Sequence, residues 1–293
     1  MLMTTTTWEE RKAARKPLLR GLAQLARKNP ALVLGTVCVL AVMIVAIIGP
    51  SIAPYDPIAH NYAARLQPPS AEHLMGTDKF GRDIFSRVLW GARIDVQVGL
   101  VCVIIPFIIG LLIGCISGYF GGAVDNVLMR LVDMSVAFPF YVLVIAILAV
   151  LGPGVRNMYL ALILVGWITY AKIARGEGLI AKNTEYVLAA RALGYSDLRI
   201  IVRHLLPNVI NPAIVYAMSD IVMVILAASS LGFLGLGVQA PTPEWGVMAA
   251  DGREMITSAP WLSIFPGLAI ATVGISFSLL GDGLSSLLRP GER

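Results

Sequence analysis

The sequence predicts an all-α membrane protein with six transmembrane helices. Composition and patterning carry that prediction. Hydrophobic residues make up 57% of the 293 residues and charged residues only 14%, where a soluble domain carries about a quarter charged. The apolar residues also gather in recurring runs of about 18–20, long enough to cross a hydrocarbon core. A soluble protein with buried helices does not repeat such runs along its length.

The first run, 31–48, follows a basic tail, 1–30, and is closed by Pro50 and Pro54. It is longer than a secretory signal core and no clear small-residue cleavage site follows it, so it reads as a signal anchor. With its closing turn it forms a first transmembrane helix over 31–50, and a loop, 51–95, separates it from a five-helix core, 96–288. The second span, 96–117, ends at the glycines of Gly118 to Gly122. The third, 129–151, contains Pro139 and stops at Gly152, Pro153 and Gly154; proline is tolerable inside a span where neighbouring helices satisfy the freed carbonyl. The fourth, fifth and sixth spans are 158–174, 209–234 and 261–280. Cys38, Cys102 and Cys115 all lie within apolar runs and read as small packing residues. His60, His73 and His204 are scattered, with no pair at metal-ligand spacing.

Lys and Arg set the sidedness. The tail carries Arg11, Lys12, Arg15, Lys16, Arg20, Arg27 and Lys28. The segment between the fourth and fifth spans carries Lys172, Arg175, Lys182, Arg191, Arg199 and Arg203, and the far end Arg289 and Arg293. An even number of spans puts all of these on one side, expected to be the cytoplasm. The basic residues of the 51–95 loop weaken the asymmetry without reversing it, since long loops translocate largely regardless of charge.

The segment 185–206 predicts a polar helical hairpin on that side. Glu185 to Leu193 is rich in helix formers, and Ala189, Ala190 and Ala192 keep its surface small. Gly194 suits a left-handed C-terminal cap. Ser196 suits an N-cap with Asp197 in the first turn, and a second helix over 198–206 is expected to stop near Pro207. Small side chains let another protein's backbone approach closely; the alternative is an amphipathic loop whose arginines touch anionic lipid.

Other polar positions carry two readings each. Arg82, Asp83, Ser86 and Arg87 fall at helical spacing, so that Asp83 and Arg87 either support a surface helix or belong to an external rim that seats a binding partner. The turn Pro241 to Gly246 places Trp245 at the membrane interface, or shares in an external gate. Asp220 falls near the middle of the fifth span, where a charge is expensive; it is either a pathway acid that meets a substrate's ammonium group or a hydrogen-bonded carboxyl within the bundle. Asp133 and Asp282 lie near span ends, where capping or solvated roles suffice. No lysine follows a glycine anywhere, so the chain has no phosphate loop of its own, and neither G-x-S-x-G nor H-E-x-x-H occurs. An ATP-driven function then needs a separate nucleotide-binding subunit. Nothing in the sequence suggests nucleic-acid binding.

The hairpin resembles the EAA loop of ABC importer permeases: Ala189-Ala190, Gly194 and Leu206-Pro207 stand at the family's spacings, with Leu188 replacing the usual Glu and His204 the usual Ile, while Glu185 lies one turn away. Four further stretches resemble the peptide and nickel branch, and within it the C-type permease: His73 to Gly99, Gly118 to Pro139, Ser229 to Gly246 and Leu279 to Leu284. The resemblance covers nearly everything after the tail. It implies a type I ABC importer permease fold in the bacterial inner membrane. The expected partners are a second homologous permease, two ATPase subunits that bind ATP and Mg, and a periplasmic solute-binding protein, with membrane lipid around them. The chain itself holds no cofactor or metal. Glu185, Ala189, Ala190, Gly194, Leu206 and Pro207 are then the ATPase-coupling residues, Asp220 a pathway residue, and Arg82, Asp83 and Arg87 binding-protein contacts. The implied cargo is di- or oligopeptide, with nickel, glutathione or another small solute as the alternative. An ion-coupled secondary transporter or channel, or a scaffold that only recruits soluble partners, would lack the hairpin's coupling role.

Overall fold

A computed structural model describes residues 29–288. The expectations for the basic tail, and for Arg289 and Arg293, lie outside the described residues. The described chain is helical, and its only strand-like pairing is an isolated bridge between Thr77 and Asp83. In order the helices are α1 (Pro30–Ile52), α2 (Ile84–Phe120), α3 (Gly122–Val136), α4 (Phe140–Leu151), α5 (Val155–Ala181), α6 (Glu185–Ala192), α7 (Asp197–Ile200), α8 (Leu206–Phe233), α9 (Trp245–Gly252) and α10 (Trp261–Leu288).

Five apolar helices are long enough to span a membrane, and α3 with α4 adds a sixth crossing if the two are counted as one broken span. Pro139 causes that break. It has no N–H to donate, and its ring forces Phe138 out of helical geometry, so the chain bends by 87° between α3 and α4. The sequence expectation of a continuous third span is corrected accordingly. The second span also begins earlier than expected. Residues 84–95 are not loop but the first turns of α2, because Asp83 caps the helix by accepting from the Ser86 N–H at 2.7 Å.

Two 37-residue helices give the bundle its length: α2, and the continuous run Asp197–Phe233. At 1.5 Å per residue each is about 55 Å long, well beyond a hydrocarbon core of about 30 Å. They overshoot at opposite ends. The N-terminal end of α2 rises into a polar cap made of residues 53–83 and α9; the N-terminal end of Asp197–Phe233 carries the hairpin.

The core of the bundle is the seam between α2 and α5. Gly110, Gly114 and Gly118 repeat every fourth residue on one face of α2. A Cβ at Gly110 would lie 2.3 Å from the Trp167 carbonyl oxygen, one at Gly114 2.4 Å from that of Ala171, and one at Gly118 2.9 Å from that of Arg175. The two backbones therefore touch directly, as small-xxx-small faces allow in membranes. Outside this seam, α1 closes against α10 through Gly35 and Gly283. The opposite flank stays open: of α3 and α4 only Val132, Val144 and Leu148 are buried. Exposed Val37, Ile47, Ile104, Val142 and Val150 give the outer surface an apolar character suited to lipid or to another membrane helix.

Replacing Gly114 with Leu should cost roughly 3 kcal/mol or more, the upper end of overpacking penalties, and lower the yield and melting temperature of detergent-solubilised protein. Gly267→Leu, where nothing lies within 4 Å of the added Cβ, should leave both nearly unchanged.

Candidate functional site

The hairpin is built from a capped turn between two unequal arms. α6 ends in a Schellman cap: the Tyr195 N–H donates to the Ala190 carbonyl at 3.2 Å and the Gly194 N–H to that of Arg191 at 3.0 Å. This requires a left-handed residue, and Gly194 has φ +76. Nothing lies within 4 Å of a Cβ built there, so the position is conformationally demanding but sterically open.

The second arm differs from the sequence expectation. It does not stop at Pro207. α7 passes through a π turn, Ile201–Leu205, directly into α8, with the Leu206 N–H reaching back to the Ile201 carbonyl. The proline explains the widening, since its ring would crowd the carbonyl four residues earlier and a five-residue step relieves that contact. Ser196 precedes the arm with extended backbone but makes no side-chain cap bond.

The hairpin is fastened to the bundle at its base. The Tyr119 hydroxyl, at the end of α2, donates to Asp197 at 2.6 Å, and the Arg191 guanidinium lies 5.2 Å from the Tyr119 ring centroid. Arg199 stacks over Tyr195 at 4.3 Å, and Tyr195 over His204 at 5.8 Å. Val187, Ala190, Ile200 and Leu205 face inward. The outward face holds Leu188, Leu193, Leu198 and Val202, with Leu193 and Leu198 72% and 73% exposed. Of the expected coupling residues, Glu185, Ala189, Gly194 and Pro207 are exposed, Leu206 is half-buried and Ala190 is buried.

Asp220 sits midway along α8. It accepts from the Tyr170 hydroxyl at 2.7 Å and the Tyr216 hydroxyl at 3.4 Å. The Tyr170 ring packs edge-on against Phe107 of α2, so this carboxyl joins α8 to α5 and, through the aromatic pair, to α2.

At the opposite end, the expected Asp83–Arg87 ion pair does not form. Both side chains, and Arg82, are buried rather than exposed on a surface helix. Asp83 also accepts from the Ser86 hydroxyl at 2.7 Å and lies 2.9 Å from His73 Nδ1. Asp78 accepts from the Arg82 N–H at 2.9 Å and from Arg82 Nε at 2.5 Å. Arg87 donates to the carbonyls of Pro57 at 2.7 Å and Pro241 at 3.3 Å. Lys79 reaches Asp251 of α9 at 3.0 Å. Gly81, with φ +73, presses against the Asn61 carbonyl, where no side chain could fit. The G-T-D-x-x-G-R-D-x-x-S-R stretch is thus the skeleton of a folded cap.

Trp245 is corrected as well. It is 3% exposed, and its indole N–H donates to the Val88 carbonyl at 3.1 Å, so it pins α9 to α2 rather than marking an interface level. Glu244 caps α9, accepting from the Gly246 and Val247 N–H groups at 2.8 Å each. Burial pushes its carboxyl above the ordinary range, while those two N–H groups and the neighbouring Asp95 and Ser229 side chains pull it back down.

These parts match a known architecture. The family of binding-protein-dependent transport system inner membrane components matches residues 110–293. The chain belongs to this permease family. The N-terminal transmembrane domain of oligopeptide transport permease C also matches, over residues 23–69. The permease is 41% identical to the dipeptide transport system permease protein DppC of Alkalihalophilus pseudofirmus, over 96% of this chain and 92% of that one. It is 42% identical to the probable D,D-dipeptide transport system permease protein DdpC of Escherichia coli, over 92% of this chain and 90% of that one. Among solved structures, the inward-facing MetNI methionine ABC transporter aligns with a TM-score of 0.58 at 16% identity, covering 70% of this chain and 98% of that one, and so shares its fold. The permease is an ABC importer subunit of the peptide and nickel branch, all-α and multi-pass, with the type I permease fold.

Two signals in the permease escaped the sequence reading. The glycine ladder on α2 was legible as a four-residue repeat. The Asp95–Glu244 neighbourhood was not, because 149 positions separate the two residues and only the fold brings them together.

Arg82→Met strips Asp78 of its closest cation and should destabilise the permease by roughly 3 kcal/mol, the usual result of breaking a buried pair. Thermal melting in detergent checks this, with Arg93→Met, at an exposed site, expected to melt like the parent.

Proposed function

We propose that this permease carries di- or oligopeptides across the bacterial inner membrane, forming the pathway with a second homologous permease. It is driven by two ATPase subunits and loaded by a periplasmic solute-binding protein. The observation that carries this reading is the hairpin: an exposed apolar face on a stiff arm that runs without interruption into a 37-residue helix. The peptide cargo is supported by the relatives, whose names specify dipeptides and D,D-dipeptides.

In this mechanism ATP and Mg are bound by the ATPases, and Leu193, Leu198 and Val202 seat in a groove of one of them. Ala189 and Gly194 keep the contact face slim and Glu185 adds an exposed carboxylate at its start, while Ala190 and Leu206 hold it to the bundle. Closure of the ATPases displaces the hairpin as a rigid body. The motion passes along α8 because Pro207 lies within a continuous helix rather than at a joint. α8 then tilts against α5 and α2 and opens the pathway on the other face. ATP can do this only by favouring one state over the other by a real free-energy difference.

The hairpin lies in the cytoplasm with both termini, and the cap faces the periplasm. Arg82, Asp83 and Arg87 serve the binding protein indirectly, by holding the cap's shape from within. The exposed apolar flank of α3 and α4 takes the second permease. Asp220 with its two tyrosines keeps α8 in register on α5, the bundle-carboxyl reading; the pathway reading retains the support of its only partly buried position.

Gly194→Leu should accumulate in the membrane and still bind the ATPases, yet lose most peptide uptake, because a left-handed leucine is strained by about 1–2 kcal/mol and the cap opens. Uptake at the parental rate would count against the coupling role. Leu193→Asp combined with Leu198→Asp should abolish co-purification of the ATPases while leaving membrane insertion intact. Asp220→Asn should slow cationic and neutral peptides alike if the carboxyl only holds the bundle; selective loss of cationic peptides would restore the pathway reading.

A further inference from the structure

A second buried acidic cluster lies under the cap, apart from the hairpin and from Asp220. Asp95 of α2 is fully buried and Glu244, at the start of α9, is 1% exposed. Glu244 receives one backbone N–H on each oxygen, from Gly246 and Val247. Asp95 receives only the Trp245 N–H, on Oδ2 at 3.1 Å. Both carboxyls therefore sit on the first three N–H groups of α9, those of Trp245, Gly246 and Val247, yet Asp95 Oδ1 has no hydrogen-bond partner. A third polar group lies beside them: the Ser229 hydroxyl of α8 is buried and without a hydrogen-bond partner. Gly246 lies directly on the Ser229 backbone, where a Cβ would fall 2.2 Å from its carbonyl oxygen.

Among the described residues no Lys, Arg or His forms an ion pair with either carboxyl. The titratable groups that face the pair are the two acids themselves and Tyr159 of α5. Two like charges on one helix end, away from water and without a cation, do not both ionise. Glu244, with two N–H donors, is the better holder of the negative charge. Asp95 Oδ1 is an orphan only as an acceptor. As the O–H of a carboxylic acid it becomes a donor, and the Glu244 carboxyl sits on the same helix end to accept it.

We propose that Asp95 and Glu244 form a binding site for a single proton, carried on Asp95 Oδ1 and donated to the Glu244 carboxylate. The proton is the bond that latches α9 onto α2 and α8 and so holds the cap closed over the bundle. The unfolded chain releases this proton at neutral pH, because both acids are then ionised in water. The folded state therefore binds one proton more, and by linkage the latch weakens as pH rises.

The test uses the full-length permease in lipid nanodiscs. Infrared spectroscopy should show the carbonyl stretch of a protonated carboxylic acid at neutral pH, and Asp95→Asn should remove it. Because Asp220 is another carboxyl partly withdrawn from water, the band must persist in Asp220→Asn; its absence there overturns the proposal without any variant of the latch. Asp95→Asn, whose amide donates where the acid did, should melt within a few degrees of the parent and lose the fall in melting temperature between neutral and alkaline pH. Glu244→Gln turns an amide toward the two backbone N–H groups and should melt well below Asp95→Asn. Equal damage from the two variants would overturn the proton assignment. So would a melting temperature that rises with sodium in the parent and not in Asp95→Asn, which would assign the site to a metal cation instead.

Discussion

Direct backbone contact between α2 and α5 is the constraint on which the rest of this permease depends. Lipid supplies no hydrophobic drive for helices to associate, so packing and interhelical polar contacts must do it. Three glycines four residues apart let α2 lie against the carbonyls of Trp167, Ala171 and Arg175. With that seam fixed, α8 packs on both helices, and Tyr170, itself on α5, can reach Asp220. The hairpin inherits its position from the same seam, because Tyr119 at the end of α2 holds Asp197.

The polar chemistry is segregated by depth. At the hairpin end, cations and aromatic rings stack at the surface, where water screens them. In the middle a single carboxyl is satisfied by two phenols. At the cap, acids and arginines are buried in numbers, and each finds a backbone partner or an opposite charge. The α9 turn shows how tightly this is organised. Glu244 caps the helix, Trp245 donates to both Asp95 and the Val88 carbonyl, and Gly246 leaves space only for Ser229. A segment that looks like an ordinary turn in the sequence is a plug packed between α2 and α8.

Much of this was legible in the sequence, for identifiable reasons. Long apolar runs fixed where helices cross, and Gly194, flanked by alanines on one side and Ser196-Asp197 on the other, fixed the hairpin turn, because only local geometry was at stake. The errors arose where distant residues decide. Pro139 could have been absorbed in a span had neighbours covered its gap, but α3 and α4 are bare and the helix breaks. Asp83 and Arg87 have the spacing of a surface pair, yet His73, Ser86 and the Pro57 and Pro241 carbonyls outcompete each for the other. Pro207 looks like a terminator, and becomes interior once the ladder widens ahead of it. The peptide and nickel identity was carried by several long motifs in order, which single positions such as Leu188 and His204 do not disturb.

The widened turn at Ile201–Leu205 has an evolutionary corollary. It holds one residue more than a regular helix needs over the same rise, so deleting a single amino acid there need not break the rod. It would restore ordinary pitch and leave everything upstream nearly in place, because the surplus residue is taken up within the turn. The same deletion in a regular stretch of the rod would swing the upstream part by about 100°, the angular step of one helical residue, and turn the outward leucines away from their counterpart surface on a motor subunit. Single-residue deletions among related chains should therefore be better tolerated in this five-residue window than elsewhere along the rod.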